Sequence, residues 1–291
     1  MARSNPAAQT AYGPMVIAAI EQHEPHGSRI VDDDLAARIL PGGYRWFVRA
    51  MAWTSLRNLL VRLGERSGQG AWSIFFCRKR YIDDQLASSA GTFDSIVDLG
   101  AGLDTRGCRL ARTSPVPVFE VDQPVNTAVK RRAIEKAVGA VPPSVHLIPV
   151  DFQRDDLADA LREAGHDIAA RTFFIWEGVT QYLPEPAVRS TLAFLSTAAS
   201  GSRMAFTYIQ RDFIDGSNPY GNTILYKRFR VRSQVWMFGL SPDAVAPLLA
   251  EYGWRVVEDV SGPEFRERYL APAGRRLSTT ELERTVLAEK D

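Results

Sequence analysis

Hydrophobic positions change period along the chain. Over residues 1–90 they recur at helical spacing, and the pattern predicts helices over 11–24, 33–39 and 46–66. The last of these carries Phe47, Val48, Met51, Ala52, Leu56, Leu59, Leu60 and Leu63 three or four positions apart. Gly42-Gly43 and Ser67-Gly68-Gln69-Gly70 punctuate the region. From 91 to 208 short β-rich runs alternate with helical ones. Strands are predicted over 95–99, 117–121, 146–150, 171–176 and 203–208, and helices over 125–138, 155–164 and 185–199. Such alternation means βαβ units and a mostly parallel sheet with helices on both faces. Thr172–Trp176 is apolar on both parities, as a strand covered on both sides should be.

Residues 209–240 break this rhythm. Tyr220, Tyr226, Phe229, Trp236 and Phe238 stand among Arg211, Lys227, Arg228, Arg230 and Arg232. A helix over 242–252 and a strand over 254–257 resume it, and the tail 279–290 reads as a polar helix. With no linker and no repeat, the chain reads as one α/β domain. A helical N-terminal cap (1–90) leads into a core (91–208), a lid or substrate insertion after the fifth strand (209–240), and a closing part (241–291) that completes the sheet.

Composition narrows the function classes. Of 291 residues 45% are hydrophobic, enough for a folded core rather than a disordered chain. The net charge of +1 argues against a dedicated nucleic-acid binder. Cys77 and Cys108 are too few for a disulfide framework or a thiolate zinc site, and neither has a nearby histidine, so both read as core. Ser4 to Ile20 is uncharged but broken by polar residues and prolines, a poor signal peptide. Met15–Ile20 is too short to span a bilayer and reads as one face of a helix. The expectation is a cytoplasmic protein with no membrane partner. His23 and His26 with Glu21 and Glu24 resemble a metal cluster, but at a polar helix end they read as solvent-facing. No metal is expected there, nor at Asp83-Asp84, which has no further ligand spaced with it.

The strongest local signal is Val97-Asp98-Leu99-Gly100-Ala101-Gly102-Leu103-Asp104. A buried strand ends in G-x-G, where glycine lets backbone pass close to a nucleotide. An acid about 20 residues on can accept ribose hydroxyls. Glu120 and Asp122 occupy that place, both on one face by the strand's period of two. Two ligands compete for this geometry. A dinucleotide wants a third glycine and a free helix N-terminus, but this chain has Thr105 and places Asp104 where the phosphate would go. S-adenosylmethionine has no phosphate and carries a sulfonium and an ammonium, which suit Asp98 and Asp104.

Five motifs in order carry a resemblance: Arg78-Lys79-Arg80-Tyr81-Ile82-Asp83-Asp84, the glycine loop through Arg106, Phe119-Glu120-Val121-Asp122-Gln123-Pro124, Pro149-Val150-Asp151-Phe152, and Trp176-Glu177-Gly178-Val179-Thr180-Gln181-Tyr182-Leu183-Pro184. Over about residues 75–210 the chain resembles the leucine carboxyl methyltransferase family. It is most similar to the bacterial branch of S-adenosylmethionine-dependent O-methyltransferases tied to polyketide and other secondary metabolism. The resemblance implies a class I methyltransferase-like, Rossmann-like fold. It implies that Arg78, with Arg80 as the alternative, reaches the cofactor's carboxylate. Gly100, Ala101 and Gly102 would underlie its methionine part, Asp122 with Glu120 close by would meet the ribose, Asp151 and Phe152 the adenine, and Glu177 the ammonium. Thr180 and Gln181 are polar where the family is often apolar, so the acceptor pocket departs from the pattern.

Read without the resemblance, Arg78 to Arg80 is a solvated basic run, Asp151 a helix cap, and Glu177 an acid at a ligand-binding strand end. A carboxylate acceptor is ionised at neutral pH and needs no general base. No histidine falls in a motif; the candidate bases are Tyr208, Tyr220 and Tyr226. The aromatic and basic insertion reads equally as a surface for a planar anionic acceptor or as a small core of its own. The expected partner is a small-molecule acceptor. The alternatives are a protein C-terminal carboxyl methyltransferase and a non-catalytic cofactor-binding protein.

Overall fold

The computed structural model describes residues 12–291; position 11, where the first predicted helix begins, lies outside them. The cap contains α1 (Tyr12–Glu21), α2 (Ala36–Ile39), α3 (Gly42–Ala50), α4 (Thr54–Ser67) and α5 (Ala71–Ser88). The single helix expected over 46–66 is two, broken at 51–53. Arg57 is the physical reason: its buried guanidinium donates to the freed Met51 carbonyl at 3.1 Å and to Glu24 at 3.0 Å.

The core runs β1 (Ser95–Leu99), α6 (Arg106–Leu110), β2 (Val118–Asp122), α7 (Pro124–Val138), β3 (Val145–Pro149), α8 (Leu157–Glu163), β4 (Thr172–Trp176), α9 (Glu185–Leu195) and β5 (Arg203–Ile209). The insertion holds α10 (Arg211–Asp215) and α11 (Thr223–Leu225), continued by π-helical turns over Tyr226–Arg232. The chain closes with α12 (Pro242–Ala250), β6 (Trp254–Val260), α13 (Gly262–Phe265) and β7 (Glu283–Lys290). The tail is thus a strand, not the polar helix expected over 279–290. Its residues favour a helix in isolation, but β7 pairs antiparallel with both β5 and β6, and those ladders override a weak propensity.

The sheet order is β3-β2-β1-β4-β5-β7-β6. Pairings from β3 through β5 are all parallel. The order reverses between β1 and β4, and open α/β sheets bind ligands at such a switch point, off the carboxyl ends of the strands.

The two faces of the sheet differ in chemistry. One carries Val97, Leu99, Phe119, Val121, Phe174, Trp176, Phe206 and Tyr208, covered by α8, α9 and α12. On the other, Ile96, Val118, Phe173, Ile175, Ala205 and Leu287 meet Phe76, Tyr81 and Ile82 of α5. Strands on this second face start apolar and end acidic. By the period of two, Ile96 is followed by Asp98, Val118 by Glu120 and Asp122, and Ile175 by Glu177. Because β7 runs backwards, its first residue rather than its last reaches the same edge, and Glu283 pairs in register with Ile209. Among the described residues no helix is long and apolar enough to cross a membrane.

Candidate active site

At the carboxyl edge the acids of the second face meet cations delivered by the helices above them. Arg78 and Lys79, in α5, are both buried. The Arg78 guanidinium donates from Nε to Glu177 at 2.9 Å and from Nη1 to Glu283 at 2.5 Å. Lys79 pairs with Asp104 and lies 3.6 Å from Asp33. Arg106, the first residue of α6, reaches Asp83 at 2.5 Å, Glu177 at 3.1 Å, and Asp104. Arg109 adds Asp83 at 2.9 Å. The basic run of α5 is therefore not a solvated face. Only Arg80 turns outward, to Asp84 at 2.7 Å and the Ile30 carbonyl, two residues and about 200° around the helix from Arg78. Arg80 thus stands apart from the acids of the carboxyl edge that Arg78 and Lys79 meet.

The glycine loop is held from below and from the side. Gly100 and Ala101 donate their N–H groups to the Val121 carbonyl at 2.7 and 3.0 Å. Gly102 N–H donates to Asp122 Oδ2 at 2.6 Å, while Asp122 Oδ1 accepts from Gln123 N–H and from Asn126. Gly100 has φ +81°, and a Cβ there would lie 2.3 Å from Val179. Gly100→Ala is expected to cost roughly 2 kcal/mol of stability from the left-handed backbone alone, read as a lowered urea midpoint. Gly178 (φ +70°) serves a different need, since a Cβ would sit 2.8 Å from the Arg78 guanidinium and block its path to Glu177.

The N-terminus of α6 is not free for a phosphate. Arg106 N–H donates to Asp104 Oδ1 at 3.0 Å, so the chain caps its own helix with a carboxylate. Desolvation of half-buried Asp104 opposes ionisation, but Arg106, Lys79 and Arg109 outweigh that and hold its carboxyl well below the usual range. Asp98 has the opposite fate. Burial first, and then the charge of Asp104, push it well above the carboxylate range, with Lys130 only partly compensating.

Glu120 and Asp122 do not act as a pair. Glu120 is buried beneath Lys130, which lies 2.7 Å away, whereas Asp122 stands at the rim of the same strand. Asp151 and Phe152 follow β3, whose last residue pairs with Asp122 in register. Asp151 accepts from Gln153 N–H at 3.1 Å in the turn after β3 and is not a helix cap, since α8 is capped by Asp156, and Phe152 packs on the α8 side of the core. Along the edge the order is then Asp151 and Phe152, Asp122, Gly100 to Gly102, and Glu177.

Two of the three candidate tyrosines donate their hydroxyls to carboxylates. Tyr208 faces the α9 and α12 side and donates to Asp259 at 2.9 Å; burial and then Asp259 push its phenol up. Tyr220 donates to both oxygens of Asp212, and burial followed by that pair raises it as well. Tyr226 packs edge-on against Phe213 at 5.5 Å within the insertion. There Phe213, Trp236 and Leu282 form a core with Phe229 stacked on Trp236 at 4.8 Å, so these aromatics chiefly pack on each other. Burial pushes Cys77 up, and Cys108 up to about 11, as suits core thiols rather than nucleophiles. The histidines that follow α1 divide: His26 is exposed as expected, while Glu21 and His23 turn inward. Glu21 is buried against Arg275 at 2.8 Å and His23 bonds the Val48 carbonyl, because α3 and the tail pack over that helix end.

Sequence reasoning missed Lys130, Arg106, Lys79 and Glu283 as parts of this edge. Arg106 and Lys79 stood inside quoted motifs, a usable signal. Lys130 gave none, and Glu283 was hidden by the helical reading of the tail.

The sheet and its strand order are those of an α/β domain of the methyltransferase fold. Two solved structures share the fold. One is a DUF574 family protein from Streptomyces avermitilis, with TM-score 0.54 and 14% identity over 94% of this chain and 100% of that one. The other is a protein from Galdieria sulphuraria provisionally named as a sarcosine dimethylglycine methyltransferase, with TM-score 0.51 and 16% identity over 76% of this chain and 88% of that one. At the level of sequence, the leucine carboxyl methyltransferase family profile matches residues 11–196, and the chain belongs to that family. A relative from Streptomyces coelicolor is 34% identical over 208 residues, covering 69% of this chain and 68% of its own. Another from Streptomyces avermitilis is 32% identical over 206 residues, with the same shares. Both are provisionally named as S-adenosyl-L-methionine-dependent methyltransferases.

Proposed function

We propose that the protein is an S-adenosylmethionine-dependent O-methyltransferase acting on a carboxylate or acidic hydroxyl of a small molecule, of the kind made in polyketide or other secondary metabolism. The observation that carries this reading is the sign of the charge at the carboxyl edge. Arg78, Lys79, Arg106, Arg109 and Lys130 face Asp33, Asp83, Asp98, Asp104, Glu120, Asp122, Glu177 and Glu283, so the acids outnumber the cations. A surplus of buried carboxylate beside a self-capped helix favours a phosphate-free cation over a dinucleotide. Asp98 sharpens the fit: it is a buried acid at the end of β1 that lacks a cation of its own.

When bound, S-adenosylmethionine supplies a methyl group already activated on a sulfonium. In this reading the Gly100–Gly102 backbone lies under the methionine part, and Asp98 and Glu177 face its positive charge. Asp122 turns its remaining lone pair to the ribose, and Asp151 and Phe152 hold the base. Arg78 balances the cofactor's carboxylate while neutralising Glu177. The protein then has to position and desolvate the acceptor. A carboxylate acceptor, with a reference pKa of roughly 4, comes ready ionised and needs no base, in keeping with the raised phenols of Tyr208 and Tyr220.

Calorimetric titration with S-adenosylmethionine tests the reading. Micromolar binding is expected. Asp122→Ala should weaken it about 10- to 100-fold, the worth of a hydrogen bond to a charged group, and Asp151→Ala should weaken it in the same direction. Heat with NAD and none with S-adenosylmethionine would point instead to an oxidoreductase. With a labelled methyl group, label in small extractable products is the expected result; label on a protein band would move the acceptor to a protein carboxyl terminus.

A further inference from the structure

Four buried polar atoms without partners belong to the end of β4, the turn after it and the insertion. Trp176 Nε1, Gln181 Oε1, Asn222 Oδ1 and Trp236 Nε1 are sealed from solvent and accept or donate no hydrogen bond. Trp176 ends β4, Gln181 lies in the short turn Thr180–Tyr182 just after it, and the other two belong to the insertion. That turn is gripped on both sides. Val179 presses on Gly100 of the glycine loop. The Thr180 hydroxyl donates to the Thr207 carbonyl at 2.7 Å. The Gln181 carbonyl accepts the Met237 N–H at 2.6 Å, which brings neighbouring Trp236 to the same junction. Gln181 therefore stands where the glycine loop, the end of β4 and the insertion meet, the side of the edge away from Asp122 and Asp151.

An apolar side chain of similar size would fill this position without an orphan. Folded proteins keep few buried polar groups unpaired, and a ligand that completes them is a standing reason to retain one. We propose that Gln181 is a specificity-determining residue for the methyl acceptor, and that the acceptor is a hydroxy acid. Its carboxylate takes the methyl group, and its neighbouring hydroxyl donates to Gln181 Oε1. This assignment rests on the O-methyltransferase reading above. In the transfer a carboxylate lone pair forms the new C–O bond as the carbon–sulfur bond breaks, the sulfonium becomes a neutral thioether, and the hydroxyl keeps its proton. A site built to bond a substrate hydroxyl rejects the analogue that lacks it far more strongly than an apolar pocket does.

The test uses the full chain with 2-hydroxybenzoate and benzoate as matched acceptors, and S-adenosylmethionine binding measured separately by calorimetry. The wild type should methylate 2-hydroxybenzoate with a kcat/KM at least about tenfold above benzoate. Gln181→Met should erase that preference through KM, leave the cofactor Kd within about twofold, and raise Tm by about 2 °C or more, since it removes an unpaired buried group. Gln181→Leu should behave alike and guards against a misfolded first variant. Benzoate preferred or equal, transfer to neither acid, or variants that melt lower and slow both acids equally would overturn the proposal. Loss of cofactor binding in the wild type would instead fail the broader reading, and the calorimetry tells the two apart.

Discussion

Arg106→Ala should destabilise the protein by about 3–5 kcal/mol, the cost of removing one partner from a buried ion pair. The side chain is 2% exposed and serves Asp83, Asp104 and Glu177 at once. Without it three half-buried carboxylates lose a cation that they share. Total stabilities of domains run only about 5–15 kcal/mol, so the variant should unfold at a much lower urea midpoint with an unchanged slope. Arg106→Lys should recover part of the loss, because an ammonium keeps the charge but not the fork that reaches three acids. Exposed pairs such as Arg162–Asp159 serve as the control, with alanine at Arg162 costing roughly 0–1 kcal/mol. A cost below about 1 kcal/mol for Arg106→Ala would mean the cluster is solvated rather than buried.

The second large effect is on pH. Asp98 is raised by burial and then by Asp104. Between the ordinary value of roughly 4 and that raised value the folded protein binds a proton that the unfolded chain does not, so stability falls as pH rises through this window. Asp83 and Asp104 have the reverse sign. Burial opposes their ionisation, but Arg106 leads the neighbours that hold them low. Their contribution is present above the unfolded value and is lost as pH falls through the folded one. Stability should therefore peak on the mildly acidic side. Cofactor affinity should move the other way, because a cation wants Asp98 ionised. The Kd should weaken about tenfold for each pH unit below the Asp98 midpoint, and binding there should release a proton. Calorimetry in two buffers of different ionisation enthalpy measures that proton. Asp98→Asn should flatten the profile. A Kd that does not change with pH, with heats independent of buffer, would remove Asp98 from the cation site.

The five parallel strands could be read from the chain because each is a short apolar run closed by a turn, a pattern set by local burial. The acidic ends were legible too, since a period of two puts Glu120 and Asp122 on one face. The division of labour between them was not, because it depends on Lys130 arriving from α7. Likewise Arg78 and Lys79 looked solvated because every partner is distant in sequence; Glu283 lies 205 positions away. The break between α3 and α4 has no proline or glycine to announce it, only a carbonyl met by Arg57. Strand β7 is the plainest case. Leu287 and Ala288 both face core, one on each side, so period two gave no contrast, and Glu, Lys, Leu and Ala suit a helix.

That reversed last strand also sets a timetable. A chain is made from its N-terminus, and its early elements begin to fold while later ones are still being added. Arg78 and Glu177 exist as a pair well before Glu283 is translated, so a nascent protein holds a guanidinium with one of its two counter-charges missing. The cap can settle fully on the sheet only when β7 slides between β5 and β6. Cofactor competence should accordingly arrive abruptly, only once β7 has been made and has paired on both sides.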